Sequence, residues 1–151
     1  MANSVPPHGG KLLPLSVVGE ERKEGLVGAK TLPKVRLSSK EVSDLIMLGT
    51  GAFSPLQGFM REGDYRRVVK EMRLRNGLLW PIPITLSTSR EEADKIREGQ
   101  RIALVNSGNN EVIASMLVEE KYSYDKKVEA LQVFGTDDER HPGVKKIYEQ
   151  G

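Results

Sequence analysis

A ten-residue stretch constrains this fold more than any other, because it is apolar where the chain has to turn. Gly51-Ala52-Phe53-Ser54-Pro55-Leu56-Gln57-Gly58-Phe59-Met60 holds two of the three phenylalanines in the sequence, together with Leu56 and Met60. Loops are normally polar, since their backbone groups need water or other partners. We therefore expect this loop to fold inward and fill a hydrophobic core. Replacing Phe53 or Phe59 by alanine would then cost roughly 3–5 kcal/mol if the ring is fully buried.

A phosphate-binding role is the alternative for the same region, because Gly49-Thr50-Gly51 opens it. A dinucleotide-binding loop needs a third glycine at a fixed spacing, and a mononucleotide-binding loop ends in Gly-Lys-Ser or Gly-Lys-Thr. Neither pattern is present here. The sequence therefore favours the structural role.

The composition fits one folded domain spanning residues 1–151. Hydrophobic residues make up 38% and charged residues 29%, which are values of a globular protein. The absence of cysteine excludes disulfides and thiolate metal sites. A net charge of +2 is too small to indicate nucleic-acid binding by itself. No apolar run could span a bilayer, and residues 1–7 lack the order of a signal peptide, so we expect a cytoplasmic protein.

Two capping boxes predict where helices begin. Ser38-Ser39-Lys40-Glu41 opens a helix over 39–48 that Gly49 ends, and Ser89-Arg90-Glu91-Glu92 opens a short helix that Gly99 stops. Apolar residues at helical spacing predict further helices over 63–74, over 125–134 and from Val144 onward. The expected inward faces are Val42, Leu45 and Ile46; Tyr65, Val68, Val69 and Met72; Val128, Leu131 and Phe134; and Val144, Ile147 and Tyr148.

Strand patterns are spread along the chain without regular alternation with helices. Residues 101–105 and 112–118 flank Asn106-Ser107-Gly108-Asn109-Asn110, which is the strongest hairpin signal. Val35 and Leu37 predict a short strand, as do the apolar residues of 12–18, and 80–86 reads as an edge strand with Trp80 in the core. Residues 1–11 are expected to form an extended arm, and 19–33 a loop. This arrangement favours an α+β or β-barrel-based domain over a doubly wound sheet.

Three groups of polar residues could carry chemistry. Asp137, Asp138, Glu139 and His141 lie within five positions, yet they lack the spacing of a calcium loop, and a capped turn explains them better than a metal site. His8, next to two glycines, is read as a turn. The basic face made by Arg66, Arg67, Lys70 and Arg73 lacks interleaved aromatic residues, so it indicates a solvated surface rather than a nucleic-acid site. No nucleophile and base are paired, and the residues themselves predict no catalytic, cofactor or metal site.

Four motifs together resemble one family. They are His8-Gly9-Gly10 with Leu12; the loop from Gly51 to Met60; Trp80-Pro81-Ile82-Pro83-Ile84; and Gly135-Thr136-Asp137-Asp138 with His141-Pro142-Gly143-Val144. Their order and spacing along nearly the whole chain are similar to the N-terminal domain of ATP sulfurylase (sulfate adenylyltransferase). Asp137 departs from the threonine that is common there in the family. The resemblance implies a PUA-like, β-barrel-based domain with flanking helices.

The resemblance also implies a reaction, in which sulfate attacks the α-phosphorus of MgATP to give adenosine 5′-phosphosulfate and pyrophosphate. In the family the groups that align the nucleotide lie in a following catalytic domain, within a Gln-x-Arg-Asn-Pro-x-His segment that this chain lacks. No catalytic residue can be carried over, so the chain alone is expected to be inactive. The implied partners are that catalytic domain and other copies in a homo-oligomer, and the implied role is in sulfur metabolism such as sulfate assimilation. A stand-alone PUA-like module that binds RNA, or an interaction module, is the alternative.

Overall fold

The computed structural model describes residues 5–151, so the first four residues of the predicted N-terminal arm lie outside it. The described chain divides into two compact units, one formed by residues up to 59 together with 101–117, and the other by 60–100 with 118–151. Both helices and strands are present, as the α+β prediction requires. The elements are α1 (Gly19–Ala29), β1 (Lys34–Leu37), α2 (Ser39–Thr50), α3 (Glu62–Glu71), α4 (Arg90–Asp94), β2 (Arg101–Asn106), β3 (Val112–Leu117), α5 (Lys126–Phe134) and α6 (Pro142–Glu149).

A mixed three-stranded sheet with β2 in the centre forms the middle of the first unit. β1 pairs parallel with β2, from Lys34 opposite Ala103 to Leu37 opposite Asn106. β3 pairs antiparallel with β2, which confirms the predicted hairpin. Four consecutive residues of β2, from Ile102 to Val105, are each exposed by 3% or less. A strand buried on both faces reads as a continuous apolar run, and β2 has that sequence.

The capping box of α2 is formed as predicted. The Ser38 amide donates to Glu41 Oε2 at 2.8 Å, and the Glu41 amide donates to Ser38 Oγ at 3.3 Å. The helix continues to Thr50 and is capped by Gly51 rather than by Gly49, because Gly51 adopts the left-handed conformation (φ 80°) that closes a helix.

The predicted inward face of α2 is right only in part, because Val42 and Leu45 are half-buried. The buried residues are Glu41, Asp44 and Leu48, whereas Ile46 is 58% exposed. When the apolar stripe of a helix is wide, hydrophobic periodicity fixes which side of the helix faces the core only to within about one residue. Glu41 tolerates burial because its carboxylate is used by the cap.

The N-terminal part of the first unit differs most from expectation. Residues 12–18 form no strand, and residues 19–33 contain α1 instead of a loop. α1 has only Ala29 buried and two internal glycines, so neither its periodicity nor its helix propensity could predict it. Glu20 and Glu21 in its first turn complement the helix dipole, which is the one local signal in its favour.

The apolar loop fills the core only in part. Leu56 and Met60 are buried, with 8% and 6% of their surface exposed, but Phe53 and Phe59 are half-buried. The full 3–5 kcal/mol therefore does not apply to either ring. Ser54 of the loop is only 2% exposed, and its hydroxyl accepts from the Leu13 amide at 2.8 Å and donates to the Gly51 carbonyl at 2.6 Å.

In the second unit, α3 buries Tyr65, Val68 and Val69 as predicted. It ends at Glu71, three residues earlier than expected. Met72, assigned to the inward face, instead caps the helix in the left-handed conformation and is 52% exposed. The Asn76-Gly77 turn follows, closed by the Gly77 amide donating to the Leu74 carbonyl at 2.9 Å.

The segment after this turn is extended but forms no strand. Within it only Leu79 makes a bridge, to Arg73. Pro81 and Pro83 cannot donate to a ladder, which explains the absence of pairing. Trp80 is nevertheless buried, as predicted.

α4 starts at the predicted cap, where Ser89 Oγ accepts from the Glu92 amide. It ends at Asp94, five residues before Gly99.

α5 and α6 pack together around Ala130, Val144 and Ile147. The face predicted for α6 is confirmed. That predicted for α5 is confirmed only for Phe134, which packs against this cluster, since Val128 and Leu131 are 49% and 42% exposed. The buried face of α5 carries Glu129 and the small Ala130, a pair that a hydrophobicity pattern does not mark.

Gly51 gives a direct test of how α2 is joined to the N-terminal segment. A methyl group on Gly51 would lie 3.0 Å from the Pro14 nitrogen and 3.2 Å from the Leu13 carbonyl carbon. We expect Gly51→Ala to lower the free energy of unfolding by at least about 1–2 kcal/mol, the cost of the left-handed backbone alone. Gly25→Ala is the control, because nothing lies near its Cβ position in α1. It should stabilise the protein by about 0.5–1 kcal/mol in urea unfolding. Equal effects of the two changes would contradict the close approach at Gly51.

Candidate functional site

A charged cavity of about 470 Å³ lies at the start of α3, within the second unit. Arg61 and Glu119 form an ion pair at 2.5 Å, and Arg66 Nε donates to Glu62 at 2.8 Å. Glu120 accepts from the Glu62 amide at 2.9 Å and so satisfies one free donor of the helix end. The lining residues are Arg61, Glu62, Gly63, Arg66, Arg75, Glu119 and Glu120.

The charges in this cavity balance, because three arginines face three glutamates. A site for a triphosphate needs cationic and amide donors aimed at the phosphate oxygens. Here the guanidinium groups of Arg61 and Arg66 already bind carboxylates of the same cavity. The arrangement therefore suits a solvated surface network better than a nucleotide site.

The acidic turn between α5 and α6 is held by its own partners. Asp138 accepts from the Arg140 side chain at 2.8 Å, and this hydrogen bond lowers the pKa of the Asp138 carboxyl. Asp137 pairs with Lys127 at 3.3 Å. His141 caps α6, with Nδ1 accepting from the Gly143 amide at 3.2 Å, and its ring lies 4.8 Å from that of Phe134. The preferred interpretation of a capped turn accounts for these contacts.

Metal-ligating side chains do not converge in the part of the chain that the structure describes. Across residues 5–151 there is no group of three or more histidine, aspartate or glutamate side chains that could hold an ion. The Gly10 amide donates to the Pro7 carbonyl at 2.8 Å, so His8 sits in a turn as predicted.

The basic face of α3 is partly neutralised. Besides the Arg66–Glu62 pair, Arg67 bonds Glu71 at 3.0 Å, and Arg73 donates to the Gly77 carbonyl at 2.9 Å. Each of these contacts is local to the helix or the turn that follows it. They support the interpretation of this face as a solvated surface.

A buried tyrosine cluster in the second unit was missed by sequence reasoning. Tyr65 Oη donates to Glu129 Oε2 at 2.6 Å, and the rings of Tyr122 and Tyr124 lie 5.4 and 6.1 Å from that of Tyr65. Tyr122 Oη donates to the Met60 carbonyl at 2.7 Å. The sequence predicted only that Tyr65 lies inward. It did not predict that Glu129 is buried, because the inward face expected for α5 was Val128, Leu131 and Phe134.

Two of these tyrosines, Tyr65 and Tyr122, have raised pKa values. Burial, followed by the hydrogen bond to Glu129, raises the pKa of Tyr65, and burial also raises the pKa of Tyr122. Phenols that ionise so late cannot act as bases or nucleophiles near neutral pH. Their contribution is to join α3 to α5 through a buried hydrogen bond.

Comparison with known proteins identifies the family. Residues 5–151 match the PUA-like domain family, which covers nearly the whole chain. The chain belongs to the PUA-like domain family. None of the helices of this PUA-like domain, within the described residues, is long and apolar enough to cross a membrane.

Several curated relatives are named sulfate adenylyltransferase, as the four motifs indicated. The protein of Symbiobacterium thermophilum is 50% identical over 151 residues, which is 100% of this chain and 38% of that protein. The protein of Psychrobacter sp. (strain PRwf-1) is 52% identical over 152 residues, 97% of this chain and 36% of that protein. The PUA-like chain thus spans less than two fifths of the length of these relatives, and the resemblance to their family is confirmed.

A solved structure has a similar fold. The structure titled "Hexameric APS kinase from Thiobacillus denitrificans" matches with a TM-score of 0.71 and 35% identity. The match covers 80% of this chain and 24% of that one. In both comparisons the PUA-like domain corresponds to a minor part of a much longer polypeptide.

The Tyr65–Glu129 bond can be tested by removing one hydroxyl. Tyr65→Phe leaves Glu129, only 7% exposed, without this donor. We expect the free energy of unfolding to fall by about 1–3 kcal/mol, the usual cost for a buried group that loses a hydrogen bond. Tyr148→Phe, on half-buried Tyr148 of α6, is the control and should change stability by less than about 0.5 kcal/mol.

The stability of the folded protein is expected to fall at alkaline pH. The pKa of Tyr65 is raised in the folded state above its ordinary value of 10.0. The unfolded chain therefore ionises first, and the stabilisation present below about pH 10 is lost as the pH rises further. In Tyr65→Phe this alkaline loss should become smaller in urea unfolding measured from pH 8 to 11. An unchanged alkaline slope would contradict the assignment.

Proposed function

We propose that this chain is the N-terminal domain of a sulfate adenylyltransferase and has a structural role in it. The observation that carries the proposal is 50% identity over the whole chain to the Symbiobacterium thermophilum protein of that name. The complete enzyme would join sulfate to the α-phosphorus of ATP, releasing pyrophosphate and forming adenosine 5′-phosphosulfate. The catalytic groups would belong to the remainder of the polypeptide.

The side chains described above support this division of labour. Nucleotidyl transfer depends on cations and amide donors that align the phosphates and stabilise the charge on their oxygens. In this domain Arg61 and Arg66 of the α3 cavity are paired with glutamates, and His141 of the acidic turn caps α6. We therefore derive no step of ATP or sulfate binding through these residues, and we assign MgATP to the complete enzyme.

The wider setting is also part of the proposal. We place the complete enzyme in the cytoplasm and in sulfur metabolism, such as sulfate assimilation, where ATP is available as its substrate. Its partners would be the catalytic part of the same polypeptide and further copies of itself. The hexamer named for the Thiobacillus denitrificans structure supports a homo-oligomer.

The alternative of an RNA-binding module depends on the basic face of α3. Arg66, Arg67 and Arg73 all have local hydrogen-bond partners, which would have to be exchanged for phosphates. Binding that rests on phosphate contacts should fall steeply with salt. Salt-dependent binding of an RNA oligomer to the isolated chain, abolished by Arg66→Ala with Arg67→Ala, would favour this alternative.

A pyrophosphate-release assay tests the proposal. The 151-residue chain should release no pyrophosphate from ATP and sulfate. A chimera in which this chain replaces the matching 38% of the Symbiobacterium thermophilum protein should release pyrophosphate only when both substrates are present. Turnover by the isolated chain would contradict the division of labour, and a folded but inactive chimera would contradict the assignment to this enzyme.

A further inference from the structure

The first unit carries a group of exposed large apolar side chains, which we call the apolar strip. Their exposed fractions run from 40% to 78%. Four come from the N-terminal segment and two from α2. They are Leu12, Leu15, Val17, Val18, Ile46 and Met47.

Main-chain contacts place the two parts of the strip side by side. The amides of Leu15 and Ser16 both donate to the Gly49 carbonyl at 3.0 Å. Gly49 lies three residues after Ile46 on α2, and residues three apart share a face of a helix. The Leu12 side chain lies 3.1 Å from the Cβ position of Gly51 at the end of the same helix. The segment therefore crosses the last turn of α2 next to its exposed apolar residues.

The strip consists of large apolar side chains, which are usually buried in folded proteins. Its N-terminal part has the apolar content of a strand, yet in the described chain it belongs to no sheet. The Leu13 amide in this part donates to Ser54 Oγ, and the amides of Leu15 and Ser16 donate to the Gly49 carbonyl, so these three hydrogen bonds are not made to a neighbouring strand. Single exposed apolar residues are ordinary, but groups of neighbouring exposed apolar residues are typical of interaction surfaces.

We propose that the apolar strip is the docking surface for the catalytic part of the same polypeptide, which would meet it with an apolar surface of its own. This inference rests on the proposed function. Relatives in which the matching region is only 38% and 36% of the protein have most of their length available to cover the strip. All six side chains are uncharged, so the strip selects an apolar partner rather than a phosphate-bearing one.

Methionine oxidation by hydrogen peroxide tests this surface with controls inside the chain. Met47 belongs to the strip and is 40% exposed, Met72 lies outside it and is 52% exposed, and Met60 is 6% exposed. In the isolated chain Met47 and Met72 should both oxidise faster than Met60, because thioether oxidation follows exposure. In the chimera with the Symbiobacterium thermophilum protein, oxidation of Met47 should slow about tenfold while Met72 is unchanged.

Three results would overturn the inference. Met47 could oxidise equally fast in the chimera and in the isolated chain, or be protected together with Met72. It could also become protected in the isolated chain as concentration rises, with a dimer seen by light scattering, which would make a second copy the occupant. Adding the remaining part of the Symbiobacterium thermophilum protein as a separate polypeptide should also protect Met47, so the test does not depend on the chimera.

A pair of variants separates docking from folding. Ile46→Ser should leave the thermal midpoint of the isolated chain nearly unchanged, because Ile46 is 58% exposed, and should lower that of the chimera by several degrees. Val128→Ser, at a 49% exposed position on α5, is the control and should have little effect on either protein. Equal losses from the two variants in the chimera would contradict the strip as the docking surface. An inactive chimera in which Met47 is protected would count against the proposed reaction and not against the docking.

Discussion

The central strand β2 is the constraint on which the first unit depends. It pairs parallel with β1 and antiparallel with β3, and its residues from Ile102 to Val105 are almost fully buried. The two segments of the first unit are far apart in sequence, and the β1–β2 pairing joins them. The Ala103 amide extends this contact to the Pro33 carbonyl at 2.8 Å, and Ser107 Oγ donates to the Leu37 carbonyl at 2.7 Å at the other end.

Polar groups in this domain are mostly used to complete the fold. Ser38 and Glu41 cap α2, His141 caps α6, and Ser54 holds the N-terminal segment against the loop. Arg61 and Arg66 at the start of α3 pair with glutamates, and burial raises the pKa values of Tyr65 and Tyr122. This pattern is the physical basis of the structural role proposed above.

Local signals were reliable where a few neighbouring residues decide the structure. The capping serines, the hairpin around Asn106 to Asn110 and the apolar face of α6 were all confirmed. Errors arose where several placements satisfy the same pattern. The inward faces of α2 and α5 were partly misplaced because Glu41 and Glu129 are buried with partners that hydrophobicity does not register. The family was recognisable from motifs, but no residue pattern predicted the buried tyrosine cluster or the charged cavity.

The sequence by itself determined the capped starts of α2 and α4, the hairpin and the membership of a family, because these depend on local sterics, capping hydrogen bonds and motif spacing. Tertiary structure alone decided the pairing of β1 with β2, the rotation of the helices and the exposure of the N-terminal apolar segment. Each of these depends on which distant surface is present to bury a side chain. Residues 12–18 illustrate the difference, since their sequence is that of a strand and yet no neighbour in the described chain pairs with them.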